Sequence, residues 1–140
     1  TKDFFLNQLS KLPDVLFHCF LPEIKEVTRI KNIIFHPIDY RMFTTSMIES
    51  QGVITGGGFE TPAEALYLKK KLLSIPIPYH YEQECNAAAL SKMGIPTLTG
   101  KQVNHLSNHI YPWLSNPYTA PMISNCILPD MLEEVVSIAA

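Results

Sequence analysis

The run Gly56-Gly57-Gly58 follows the short apolar stretch Val53-Ile54-Thr55 and precedes Phe59-Glu60-Thr61-Pro62-Ala63-Glu64. That order predicts a strand, a turn open to backbone conformations closed to other residues, and then a helix start. Thr61 suits the N-cap, Pro62 the first helical position, and Glu64 stands three residues after the cap, as in a capping box. Glycines let the backbone approach a ligand closely. The unpaired N–H groups and positive dipole end of the following helix favour an anion, most often a phosphate. A phosphate cradle at the tip of a strand is therefore predicted.

The rest of the chain repeats this alternation. Phe5, Leu9 and Leu12 fall at helical spacing over residues 3–12, and Pro13 and Asp14 break the pattern. Residues 15–20 form a continuous apolar run that predicts a buried strand, with His18 as a core histidine. A polar connector over 22–31 leads to a second apolar run, 32–36, ended by Pro37. Asp39 can cap a helix reaching about Ser50, with Phe43 and Met47 on one face and Gly52 as its stop. The strand 53–55, a helix from 62 to about 70, a strand 72–75, a helix 82–93 closed by Gly94 and a short strand 95–98 follow. This pattern predicts an α/β fold, a Rossmann-like parallel sheet with helices on both faces. Ligands of such sheets bind beyond the carboxyl ends of the strands. The glycine turn, the Pro37 loop and the 79–83 loop all leave such ends and are expected to line one crevice.

Residues 1–100 thus read as one ligand-binding domain, and 101–140 as its helical tail. In the tail Val103, Leu106, Ile110, Trp113 and Leu114 suggest an amphipathic helix, and a final helix is expected over 129–140. The chain opens at Thr1 directly on an amphipathic stretch, which suggests a piece of a longer protein lacking the first strand of its sheet.

Composition narrows the classes. With 46% apolar and 17% charged residues the chain is a globular protein, and its net charge of −2 argues against nucleic acid as a partner. The one basic run, Lys69-Lys70-Lys71, is expected to close a helix, where cations complement the dipole. Cys19, Cys85 and Cys126 are odd in number and show no C-x-x-C pair, so neither a disulfide framework nor a zinc site is indicated. His105 and His109, four apart on the expected tail helix, have a metal-compatible spacing without a third ligand nearby. No metal is expected. No membrane span and no signal peptide are visible, so a cytoplasmic setting is expected, with peripheral membrane association still compatible.

Residues 54–66, 73–78 and 82–87, in that order and spacing, resemble the donor-binding signature of GT-B glycosyltransferases. The nearest groups are the UDP-sugar-using glucuronosyltransferases and plant glucosyltransferases, and the bacterial N-acetylglucosaminyltransferases that form lipid II. Uncharacterised bacterial enzymes carry very similar strings. The resemblance covers about residues 32–94 and implies the C-terminal half of a GT-B fold.

It also implies roles. Gly56, Gly57, Gly58, Phe59, Glu60 and Thr61 would surround a diphosphate, although Glu60 stands where relatives often carry a neutral polar residue. Glu64 matches the carboxylate that accepts from both ribose hydroxyls; its other reading is the capping box. Glu82 and Gln83 match an acidic–Gln pair that grips the donor sugar, with Glu in place of Asp. Asn86, one turn later, would support that loop. Pro37 and Ile38, after His36, match the segment that reads uracil. His80 lies in a loop from which it can reach the pocket.

The implied reaction is transfer of a sugar from a nucleoside diphosphate, expected to be UDP, to an acceptor hydroxyl. The nucleotide-sugar is a substrate, and no cofactor is implied. The general base and the acceptor pocket belong to an N-terminal domain, the expected partner of this half, so the catalytic residue is unknown and the chain alone is expected to be inactive. A homodimer is compatible with the tail. Two alternatives stand beside this one: an enzyme like the UDP-sugar 2-epimerases, and a non-catalytic nucleotide-sugar-binding module.

Overall fold

The computed structural model describes residues 1–56, 58, 60–76 and 79–117. They fall into two units, Thr1–Glu49 with His105–Tyr111, and Ser50–Asn104 with the chain from Pro112. The helix expected over 129–140 lies outside the described residues, as do Gly57 and Phe59.

In the first unit α1 (Lys2–Leu9) is followed by β1 (Phe17–Phe20), β2 (Thr28–Ile30), β3 (Ile33–His36) and α2 (Tyr40–Glu49). The sheet order is β1-β3-β2. β1 runs parallel to β3, with Phe17 opposite Ile33 and Phe20 opposite His36, and β2 runs antiparallel to it. The central strand carries the core: Ile33 and Phe35 are fully buried, each contributing about 1.5–3 kcal/mol. β1 lies at the sheet's edge, so the fully buried strand predicted there is half-exposed, and His18 is exposed rather than a core residue. β2 falls inside the predicted polar connector, because a short polar edge strand carries no apolar signature.

Lys31 takes a left-handed φ of 54° in the link from β2 to β3. Beside it Asn32 is buried, and its side-chain amide donates to the carbonyls of Leu9 at 3.0 Å, Leu12 at 2.8 Å and Val15 at 2.9 Å. One side chain thus fastens the end of α1 and the following loop to the hairpin. Leu106 and Ile110 add fully buried side chains, and the Ser107 N–H donates to Gln8 Oε1. Asp39 caps α2 as predicted, its Oδ1 accepting from the Met42 N–H at 3.0 Å.

The second unit contains β4 (Gly52–Thr55), α3 (Glu60–Tyr67), β5 (Lys71–Ser74), α4 (Tyr81–Lys92) and a 3-10 turn (Gly100–His105). It also takes the residues from Pro112 of α5 (Leu106–Ser115). β4 and β5 pair in parallel, Gly52 opposite Lys71 and Thr55 opposite Ser74. Ala63 and Ala65, two apart and on different faces of α3, are both fully buried. Gly52 begins β4 instead of stopping α2. A Cβ there would lie 2.7 Å from Trp113 Cη2, so the indole occupies the space a side chain would need.

The lysine run closes α3, as expected, although the helix proper stops short of it. α3 ends at Tyr67, and Lys69 adopts φ 57° as the left-handed residue of a Schellman motif, with Lys70 N–H bonded to the Ala65 carbonyl and Lys69 N–H to that of Leu66. Lys70 Nζ donates to the Ser50 carbonyl, and Lys71 Nζ to that of Leu114. Gly94, φ 85°, ends α4 in the same way, as expected. The predicted strand 95–98 shrinks to one parallel bridge, Ser74 with Thr97, since Pro96 has no N–H to extend a ladder.

Both units are mixed α/β with parallel strand pairs, the arrangement of a Rossmann-like half. Among the described residues no helix is long and apolar enough to cross a membrane.

Candidate functional site

The site is assembled where β4 and β5 end. Because the strands are parallel and in register at Thr55 and Ser74, both following loops leave the same edge. The Ile75 N–H donates to the Thr55 carbonyl at 2.8 Å. A Cβ on Gly56 would sit 3.9 Å from the Ile75 carbonyl oxygen. The glycine turn therefore begins directly beside the loop that leads to α4.

α3 starts at Glu60, earlier than predicted, so Thr61 lies inside its first turn rather than at the N-cap. Pro62 and Ala63 are buried and anchor this turn, while Gly58 and Glu60 are exposed and Thr61 and Glu64 are half-buried. Across the edge α4 is capped by His80, whose Nδ1 accepts from the Gln83 N–H at 3.3 Å. His80 is thus a capping residue. Gln83 shares the inward face of α4 with Ala87 and Leu90, both buried. It is half-buried in the first turn of α4, whereas Glu82 is exposed and Asn86 half-buried one turn on.

β4 and β5, parallel and in register, are thus each followed in the chain by a helix, α3 and α4. Helix N-termini favour negative charge through their dipoles, and Glu60 in α3 and Glu82 and Glu84 in α4 already place carboxylates in these first turns. Gly56 follows β4 directly; Glu60, Thr61 and Glu64 lie in the first turns of α3, and Glu82, Gln83 and Asn86 in those of α4. Pro37 and Ile38 belong to the first unit, directly after β3, and Ile38 is exposed.

Sequence reasoning missed Ser74. It is fully buried at the carboxyl end of β5, and its Oγ has no hydrogen-bond partner. A serine closing a strand otherwise rich in leucine was the available signal.

Titratable groups behave differently in the two units. In the first, the buried His36 ring stacks on Phe20 at 4.5 Å, and its Nε2 hydrogen-bonds His18 Nδ1 at 2.8 Å. Burial, and then the charge of His18, lower the His36 pKa below the ordinary imidazole value. Burial pushes the Cys19 thiol up to about 12, which leaves it unreactive near neutral pH. In the second unit the exposed Tyr81 phenol is raised, first by its hydrogen bond with Cys85 and then by the charge of that thiol. His105 ends the 3-10 turn and His109 lies within α5, so they do not share the single helix expected. Among the described residues no three His, Cys, Asp or Glu side chains gather as a metal site.

Parallel strands each followed by a helix define an α/β protein of Rossmann-like arrangement. Residues 5–112 match the family model for Glycosyl transferase family 1, and the chain belongs to that family. The match extends well beyond residues 32–94 in both directions. No curated protein and no solved structure matches the chain significantly.

Proposed function

We propose that this chain is the donor-binding half of a glycosyltransferase that takes its sugar from UDP. Membership of the family supports the reaction class. The observation that supports the reading is a pair of parallel strands, β4 and β5, in register at Thr55 and Ser74, followed in the chain by one helix led by glycines and another bearing Glu82 and Gln83. In this reading the backbone from Gly56 to Thr61 holds the diphosphate, Glu64 accepts from the ribose hydroxyls, and Glu82, Gln83 and Asn86 orient the hexose. Pro37 and Ile38 are assigned to the base from the sequence pattern alone.

Chemically, the edge would stabilise the negative charge that grows on the departing diphosphate, the kind of preorganised electrostatic support that lowers a barrier most. A base supplied by an N-terminal domain would take the proton of the acceptor hydroxyl. The 140-residue chain is therefore expected to bind nucleotide weakly and to transfer nothing.

NMR titration at millimolar concentrations with UDP and 2′-deoxy-UDP tests the assignment. The wild type should prefer UDP by roughly tenfold, the effect of one charge-assisted hydrogen bond, and Glu64→Gln should erase that preference. Equal binding of the two nucleotides by the wild type would remove Glu64 from the ribose site. Shifts clustering away from residues 56–64 and 82–86 would end the proposal. Glycosyl transfer by this chain alone would contradict the division of labour.

A further inference from the structure

Three non-glycine residues among those described have positive φ: Lys31, Lys69 and Tyr79. A left-handed backbone costs an L-residue about 1–2 kcal/mol, so each calls for a reason. Lys31 closes the short link between β2 and β3. Lys69 forms the Schellman motif that ends α3. Tyr79 directly precedes the N-cap of α4, and for a bulky aromatic residue φ 65° is a marked departure.

Tyr79 lies between the carboxyl end of β5 and the start of α4, in the loop that leads to Glu82 and Gln83. Its backbone is held: the Tyr79 N–H donates to Glu84 Oε1 at 3.3 Å, and the His80 carbonyl accepts from the Glu84 N–H at 3.0 Å. Its side chain is 99% exposed, and that of Tyr81 is 81% exposed. A large ring is thus displayed to solvent on a constrained backbone, three residues before Glu82 in the chain. Left-handed non-glycine residues cluster at ligand-binding positions.

We propose that Tyr79 is a sugar-stacking residue: its ring receives the C–H face of the donor pyranose while Gln83 and Glu82 take its hydroxyls. This rests on the reading of the β4–β5 edge as a UDP-sugar site. The chemistry is complementary. One face of a pyranose is a patch of polarised C–H groups, and an aromatic face is apolar with a negative quadrupole. Hydrogen bonds to hydroxyls fix a sugar's orientation but leave that face wet; a tyrosine covers it at little conformational cost, having only two side-chain torsions.

Saturation-transfer NMR with UDP, UDP-glucose and UDP-N-acetylglucosamine tests the proposal on the 140-residue chain, since the method reads millimolar complexes. In the wild type the hexose ring protons of at least one sugar nucleotide should receive saturation together with the ribose and uracil protons. That sugar nucleotide should bind about fivefold tighter than UDP, in line with one aromatic stacking contact. Tyr79→Phe should preserve both signatures. Tyr79→Ala and Tyr79→Gly should lose the hexose saturation and the fivefold gain while keeping UDP affinity. The glycine variant separates ring from backbone, because it adopts the same φ freely. Hexose saturation that survives in Y79A, or that is lost in Y79A and kept in Y79G, overturns the proposal, as does its absence in the wild type when UDP still binds. A wild type that binds none of the three probes overturns the reading of the site itself, and this inference with it.

Discussion

The Asn32 corner and the lead-in to α4 solve the same problem with opposite materials. Each pairs a left-handed non-glycine residue, Lys31 or Tyr79, with a small hydrogen-bond network. At the corner the network is largely buried, with one amide serving three carbonyls from the end of α1 to the loop before β1. At the lead-in the contacts of Tyr79, His80, Gln83 and Glu84 are exposed. Water competes for every exposed hydrogen bond, whereas a buried carbonyl that loses its donor bears the whole desolvation cost. The first network therefore holds the fold, and the second shapes a surface.

The sharpest way to break this contrast is Asn32→Ala. Loss of one buried donor that serves three acceptors should destabilise the first unit by about 3 kcal/mol. Urea unfolding read from amide signals of β3 would measure it. Asn32→Asp should be worse still, since a carboxylate cannot donate and would face three carbonyl oxygens. A loss below about 1 kcal/mol for N32A would mean the corner is held by packing alone.

Acid should sharpen the same contrast. His36 has a folded pKa below its unfolded value, because burial and then the charge of His18 oppose protonation. Below the ordinary imidazole pKa the unfolded chain then binds more protons than the folded one, so stability rises with pH in that range. The stabilisation is complete above the unfolded value and is lost as pH falls through the folded one. Urea midpoints of the first unit should drop between about pH 7 and pH 5, the window around the imidazole reference of about 6.5. His36→Gln should flatten the slope. His18→Gln should only reduce it, since burial is the larger cause. An unchanged slope in H36Q would assign the acid sensitivity to other groups.

How much of this could be read from the sequence depended on the reach of each interaction. The Asp39 cap, the Gly94 stop and the strand–glycine–helix order around residue 56 are local chemistry, and the structure reproduces them. Gly52 was misread because its reason is Trp113, far along the chain. Asn32 looked like the first residue of a strand, and nothing nearby announced that its amide reaches back to Leu9. Lys69 took a position that normally advertises itself with glycine. β2 went unseen because Thr28, Arg29 and Ile30 need only one neighbour strand and little burial. At the candidate site the residue types and their spacing were legible. The left-handed backbone of Tyr79 and the orphaned Ser74 hydroxyl were not, since both are properties of conformation.

At the lead-in, effects on stability should be smaller. His80→Ala removes a side-chain cap from α4, and caps of this kind contribute about 0.5–1 kcal/mol. The expected sign is faster amide exchange at Gln83 and Glu84, with little change in the global unfolding midpoint. A loss as large as that in N32A would show that this turn is integral to the fold, and would leave the exposure of its hydrogen bonds without a functional reason.

The smallest changes compare the two left-handed residues directly. Glycine at either position relieves about 1–2 kcal/mol of backbone cost but gives back about 0.4–1 kcal/mol through a more flexible unfolded chain. Lys31→Gly and Tyr79→Gly should therefore each raise stability by roughly 0.5 kcal/mol, measurable as a shift in the chemical-denaturation midpoint. Their consequences for ligand should diverge. K31G should leave sugar-nucleotide binding unchanged, while Y79G should gain stability and lose the hexose contribution. Strain that can be removed at a profit in stability and a loss in binding is strain kept for binding. If Y79G gained stability with no change in affinity, the left-handed turn before α4 would be an unrelieved cost of the fold, and the two regions would differ only in burial.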